Sequence, residues 1–171
     1  MLKPKSKNVN ALFAELSSLG IEFINHDHPP LRTVEESRSL RGNLPGVHIK
    51  NLFLRDKKRK YFLVVVSENR RIDLKWLRRY INASGTLSFG SPDALFELLG
   101  VEPGAVSPLS VFNDVKNVVT LFLDKSILSY DVVNAHPLRN DMTTALSPKD
   151  LERFMTLKGH PPKLIDFEIT N

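Results

Sequence analysis

The chain has 171 residues, 42% hydrophobic and 25% charged, ordinary proportions for a folded protein with enough length for a real core. It contains no cysteine, which excludes disulfides, thiolate nucleophiles and cysteine-based zinc sites. The net charge of +5 and pI near 9.5 allow a polyanionic partner without requiring one.

The N-terminal stretch MLKPKSKNVNALFAEL has no long apolar run, so neither a secretory leader nor a membrane span is expected. The expectation is a single domain over residues 1–171, cytoplasmic and without membrane association. Asn8 to Leu19 carries Leu12, Phe13, Leu16 and Leu19 at helical spacing and stops at Gly20. Ile21 to His26 reads as a short strand. Thr33-Val34-Glu35-Glu36 has the form of a capping box and opens a helix to about Leu40. Arg41 to Gly46 reads as a loop. Val47 to Leu54 and Tyr61 to Ser67 form a β-hairpin whose turn is highly charged. Asp73 caps a basic helix through Ile81. Ser91-Pro92 starts a helix that ends at Gly100. After the Gly/Pro-rich loop GVEPGAVSP come strands at Val118 to Leu123, Leu128 to Ala135 and Met142 to Leu146. Ser147-Pro148 begins a helix to about Leu157, and Leu164 to Ile169 closes as a strand. Without regular βαβ alternation the fold class is α+β: a central mixed, mostly antiparallel, barrel-like sheet surrounded by helices.

Familiar catalytic signatures fail. No GxSxG elbow, HExxH, Walker A or Rossmann glycine fingerprint is present. His26-Asp27-His28 offers two imidazoles, but on an extended segment before Pro29-Pro30 they read as surface polar residues rather than metal ligands. Three other stretches stand out. In the hairpin, Val47, Ile49, Asn51 and Phe53 share one strand face, while His48, Lys50, Leu52 and Leu54 share the other. Lys50 on an apolar face either snorkels to water or sits desolvated in a site. GVEPGAVSP is either a plain connector or a loop that lets backbone approach a ligand. His136 follows an apolar run and is either structural or a site residue. Two basic clusters, Arg55 with Lys57, Lys58, Arg59 and Lys60, and Arg70, Arg71, Lys75, Arg78 and Arg79, are either solvated surfaces or nucleic-acid contacts.

These stretches together resemble the YbaK/ProRS-associated (INS-like) aminoacyl-tRNA editing domains, and within them the freestanding prolyl-tRNA editing proteins of the ProXp-ala/PrdX type. The resemblance rests on Thr33-Val34-Glu35-Glu36, Lys50-Asn51, the GxxxP loop Gly104-Ala105-Val106-Ser107-Pro108, His136-Pro137 with Asn140 and Thr143-Thr144, and the segment LSPKDLERFM…GHPP. It spans about Ala11 to Phe167. It implies a trans-acting deacylase that hydrolyses the ester of alanine mischarged on tRNA(Pro), with no cofactor and no metal. Its partner is the tRNA(Pro) acceptor end carrying a wrong amino acid, with prolyl-tRNA synthetase a further one. It implies Lys50, Gly104 and His136 as catalytic residues. Asn51, Thr33, Ala105, Val106, Ser107, Pro108 and Asn140 would meet the substrate, and the cluster from Arg55 to Lys60 the tRNA. Two alternatives stay open: a deacylase for Cys-tRNA(Pro) or another small misacylated tRNA, and a non-catalytic nucleic-acid-binding module of the same fold.

Overall fold

The computed structural model describes residues 7–31, 34–40 and 44–169. Helix α1 (Val9–Ser18) is capped by Asn8, whose side chain accepts the Ala11 N–H, and it buries Leu12 and Leu16 completely. Strand β1 (Phe23–Asp27) and helix α2 (Val34–Leu40) follow. The expected Thr33 cap of α2 and part of the expected loop from Arg41 lie outside the described residues.

Strands β2 (Val47–Arg55) and β3 (Tyr61–Ser67) form the hairpin in unbroken register, from Ile49 opposite Ser67 to Arg55 opposite Tyr61. Helix α3 (Leu74–Tyr80) starts at the Asp73 carboxylate and is followed by β4 (Ser88–Phe89). Helix α4 (Pro92–Leu99) runs from the Ser91 cap to left-handed Gly100, as the Ser-Pro…Gly punctuation predicts. The remaining elements are β5 (Val119–Asp124), β6 (Val133–Ala135), β7 (Met142–Leu146), α5 (Pro148–Leu157) and β8 (Lys163–Ile165).

The expected strand over Leu128 to Ala135 shrinks to β6. The reason is local: the Asp124 carboxylate accepts the Ser126 N–H and hydroxyl and winds Lys125–Ser129 into a 3-10 helix. Asp166 does the same at the C-terminal end, accepting the Glu168 N–H and turning Phe167–Ile169 out of the strand. Pro108, the last residue of the expected GVEPGAVSP loop, instead opens a third 3-10 helix, Pro108–Asn113, capped by Ser107.

The sheet is mixed, in the order β1-β7-β6-β2-β3-β5-β8, with β4 added on β2. Four ladders are antiparallel (β1–β7, β2–β3, β2–β4, β6–β7) and three parallel (β2–β6, β3–β5, β5–β8). One face packs the main core, with Val47, Phe53, Leu63, Leu121 and Leu123 against Leu12, Leu95, Leu99, Leu109, Leu151 and Phe154. The other carries a smaller core of Leu54, Val64, Val66 and Ile165 against Leu77 of α3. The alternation in β2 read from sequence is therefore the physical division between two cores.

One detail of this topology matters most. An edge of β2 is paired with β6 at Val47 and His48, and with β4 at Leu54 and Arg55. Between those two ladders, residues 49–52 have no strand partner on that edge among the described residues. The sheet has a gap, and Lys50 and Asn51 lie in it.

Candidate active site at the gap beside β2

The loop Gly104 to Pro108 reaches the gap. The Asn51 side-chain amide donates to the Val106 carbonyl at 2.9 Å. Asn51 Oδ1 is buried without a hydrogen-bond partner among the described residues. The continuous β2–β3 register leaves no bulge to re-aim Asn51. It does lie on the face opposite Lys50, and from there it fastens the loop.

Within the loop the groups divide. Ser107 is buried; its hydroxyl accepts the Leu109 N–H at 3.1 Å, and its carbonyl accepts from the Ser110 hydroxyl. Pro108 opens the 3-10 helix and is also buried, and Ala105 packs in the main core with its N–H on the Glu102 carbonyl. These three hold the loop's shape rather than presenting side chains. By contrast, the N–H groups of Gly104, Val106 and Ser107 donate to no acceptor among the described residues. Gly104 adopts φ +92°, a conformation that disfavours any side chain, although a Cβ there would meet nothing closer than 3.6 Å.

The nearest atoms to that Cβ position are the Asn140 side-chain amide and the Leu31 carbonyl. Asn140 Nδ2 donates to the Leu31 carbonyl at 3.1 Å, and the Leu31 N–H donates back to the Asn140 carbonyl at 3.1 Å. The turn that carries Asn140 is stiffened by Leu138 at φ +68° and by a two-pronged Arg139–Asp141 pair at 2.9 and 2.6 Å. The Arg139 hydrogen bonds hold the Asp141 carboxyl below the usual carboxylate range.

His48 pairs with Asn134 in the short β2–β6 ladder, so Lys50, two residues on in β2, lies on the sheet face of Asn134, and His136 follows directly after β6. Asn134 pairs with Ala145, which places Thr143 there too. His136 Nδ1 lies 2.9 Å from the Met142 carbonyl, which can only accept, so Nδ1 carries a proton.

His28, read from sequence as surface polarity, belongs to this group. Its Nδ1 meets the Pro29 carbonyl and its Nε2 the Thr143 hydroxyl, both at 2.8 Å, and its ring lies 6.3 Å from that of His136. The only sequence signal for it was the HDHPP extended segment, which does not reveal a long-range partner. No set of three or more His, Asp or Glu among the described residues is disposed to hold a metal ion.

Lys50 is half-buried, and burial lowers its ammonium pKa from the usual lysine value. Among the described residues it has no hydrogen-bond or ion-pair partner. A partly desolvated cation without a protein counter-charge suits an oxyanion or phosphate ligand. Thr33 lies outside the described residues. The cluster Arg55 to Lys60 is at the far end of the hairpin, away from this gap.

Residues 28–154 match the family described as aminoacyl-tRNA editing domain. The chain is 38% identical over 157 residues to the prolyl-tRNA editing protein ProX of Acetoanaerobium sticklandii, covering 91% of this chain and 95% of that protein. It is 38% identical over 162 residues to prolyl-tRNA synthetase associated domain-containing protein 1 of Bos taurus, covering 92% and 94%. Among solved structures, a candidate trans-editing enzyme for prolyl-tRNA synthetase superposes with TM-score 0.69 at 24% identity, covering 97% of this chain and 98% of that one. A hypothetical protein superposes with TM-score 0.72 at 19% identity, covering 91% and 97%. At those identities the two structures establish a shared fold.

Proposed function

The chain belongs to the aminoacyl-tRNA editing domain family, and from that membership we propose that it is a trans-acting deacylase of mischarged prolyl tRNA, with Ala-tRNA(Pro) as its substrate. A synthetase pocket shaped for proline cannot strongly reject the smaller alanine, so a second, smaller site must clear the error. The observation that carries the reading is the gap beside β2. The Asn51 amide donates to the Val106 carbonyl and the Gly104 backbone lies beside the Asn140 side chain, which supports a site formed there with Lys50 and His136.

The chemistry asked of the site is modest, because an aminoacyl ester is already activated. Lys50 would hold the 3′-terminal phosphate or ribose oxygens and so orient the ester. The undonated N–H groups of the loop would stabilise the tetrahedral oxyanion; one such donor is worth about 2.7–4 kcal/mol in other hydrolases. His136 would line the amino-acid pocket and help set its size. Asn51 and Asn140 would keep the loop at the right distance from both strands.

The test is single-turnover hydrolysis of Ala-, Cys-, Ser- and Pro-tRNA(Pro) with purified protein and its Lys50→Ala variant. The reading expects alanine to be released, proline to be retained, and Lys50→Ala to be inactive. Faster release of cysteine than alanine would reassign the substrate. No hydrolysis of any of them would overturn the enzymatic reading.

A further inference from the structure

The two basic clusters, separate in sequence, are one surface in the fold. Residues 55–80 hold ten Lys and Arg against three Asp and Glu, a net +7 in a chain whose total is +5. The hairpin tip is stitched to the segment after α3. The buried Asp56 carboxylate accepts the N–H groups of Lys60 at 2.9 Å and Ser84 at 3.0 Å. The Lys57 N–H donates to the Ser84 carbonyl at 2.8 Å. Gly85 is packed so tightly on Lys57 that a Cβ would come within 2.8 Å of its side chain. Asn82 and Ala83 in turn donate back to the carbonyls of Arg79 and Arg78, wrapping the segment onto the end of α3.

Lys57, Lys58, Arg59, Lys60, Arg78 and Arg79 therefore stand together on a fixed scaffold. None of their side chains has an ion-pair or hydrogen-bond partner among the described residues. Arg70, from the same sequence cluster, is different: it is spent on Asp124 at 2.6 Å and stacks on Phe167, so it does not join the surface. Like charges crowded on an ordered turn repel one another, and a buried carboxylate is used to hold them there. Burial alone would raise the Asp56 pKa. The N–H groups of Lys60, Ser84 and Lys58, and the Lys60 charge, outweigh it and keep the carboxylate ionised.

We propose that this tip-and-helix surface is a docking platform for the sugar-phosphate backbone of an RNA stem whose 3′ end occupies the gap at Lys50. It rests on the deacylase reading for what lies at the 3′ end, and deepens it by assigning the stem a place. Strand β2 sets the separation: Lys50 to Arg55 is about 17 Å at roughly 3.3 Å per residue, and the tip extends beyond. A backbone contact several nucleotides from the reacting ester matches that length. The platform's side chains are Lys and Arg, bordered by the exposed rings of Tyr80 and Phe89. That density of cations without counter-ions among the described residues suits the phosphates of an RNA backbone.

The experiment uses a Lys58→Glu/Arg59→Glu/Arg79→Glu variant and an uncharged acceptor-stem minihelix. Binding is measured against salt concentration. The proposal expects the slope of log K against log salt to flatten by about 3, near one unit per lost phosphate contact. It also expects hydrolysis of 3′-O-alanyl-adenosine, which has no stem, to be unchanged. Unaltered minihelix affinity and slope would overturn it. Retained minihelix binding with lost binding to prolyl-tRNA synthetase, or to vesicles of 70:30 phosphatidylcholine and phosphatidylserine, would overturn it in favour of that partner. Minihelix binding needs no catalysis. An inactive enzyme that still binds the stem through this surface would thus sink the deacylase reading and leave the platform standing.

Discussion

Asn51→Asp isolates the contact that fastens the loop to the sheet. The substitution keeps size and shape but replaces a donor with an acceptor facing the Val106 carbonyl at 2.9 Å. The lost hydrogen bond costs about 1 kcal/mol, and a half-buried carbonyl and carboxylate left without donors raise the total to roughly 1–3 kcal/mol. For a chain of this length that lowers Tm by about 2–12 °C. The new carboxyl, desolvated and facing a carbonyl, has its folded-state pKa raised above the unfolded value of about 3.9. The destabilisation is therefore absent below that unfolded pKa, grows as pH rises through the folded pKa, and is full above it; a protonated carboxyl can donate to Val106 again. Urea unfolding at several pH values reads this directly, with wild type as reference. Activity should fall further than stability, about 10- to 100-fold in kcat/KM, because the loop donors lose their position. Wild-type stability at pH 8, or a defect that does not relax in acid, would refute the contact and the positioning role built on it.

Lys50→Met should abolish deacylation while leaving the protein as stable or slightly more stable at pH 7. Because burial lowers the Lys50 pKa, the charged form is disfavoured in the fold; the gain is full below the folded pKa and vanishes as pH rises toward the ordinary lysine value, measurable by urea unfolding. Asp114→Asn should cost about 2–4 kcal/mol, read by thermal unfolding: the buried carboxylate accepts from His160 at 2.8 Å and from the N–H groups of Val118 and Val119. Burial opposes ionisation of Asp114, but those donors prevail and hold its pKa low, so the wild-type contribution is present above the unfolded carboxylate pKa and lost as acid titrates the folded state. The variant should show a flatter acid limb. Gly104→Ala has room for its Cβ but not the backbone freedom, so it should cost about 1–2 kcal/mol in thermal unfolding and depress kcat rather than KM.

The hairpin, the helix starts at Asp73, Ser91 and Ser147, and the two faces of β2 were legible because they are encoded within a few residues. Alternation placed Asn51 opposite Lys50, and the unbroken register agrees. What the sequence could not reveal is non-local. The parallel β2–β6 pairing covers only Val47 and His48, and nothing in either strand's composition marks where it stops. Yet that stop opens the gap. In the same way, the His28 bond to Thr143 spans 115 positions, and the joining of the two basic clusters depends on Asp56 reaching Ser84. The strand over Leu128 to Ala135 was misjudged because a carboxylate at Asp124 competed with the ladder for backbone donors.

The most direct measurement of the central claim is the rate of ester loss from Ala-tRNA(Pro) against Pro-tRNA(Pro) at catalytic concentrations of this protein. The account predicts turnover of the alanyl ester well above spontaneous hydrolysis, near-background loss of the prolyl ester, and no catalysis by Lys50→Ala. Equal rates for both esters, or full activity in Lys50→Ala, would contradict it.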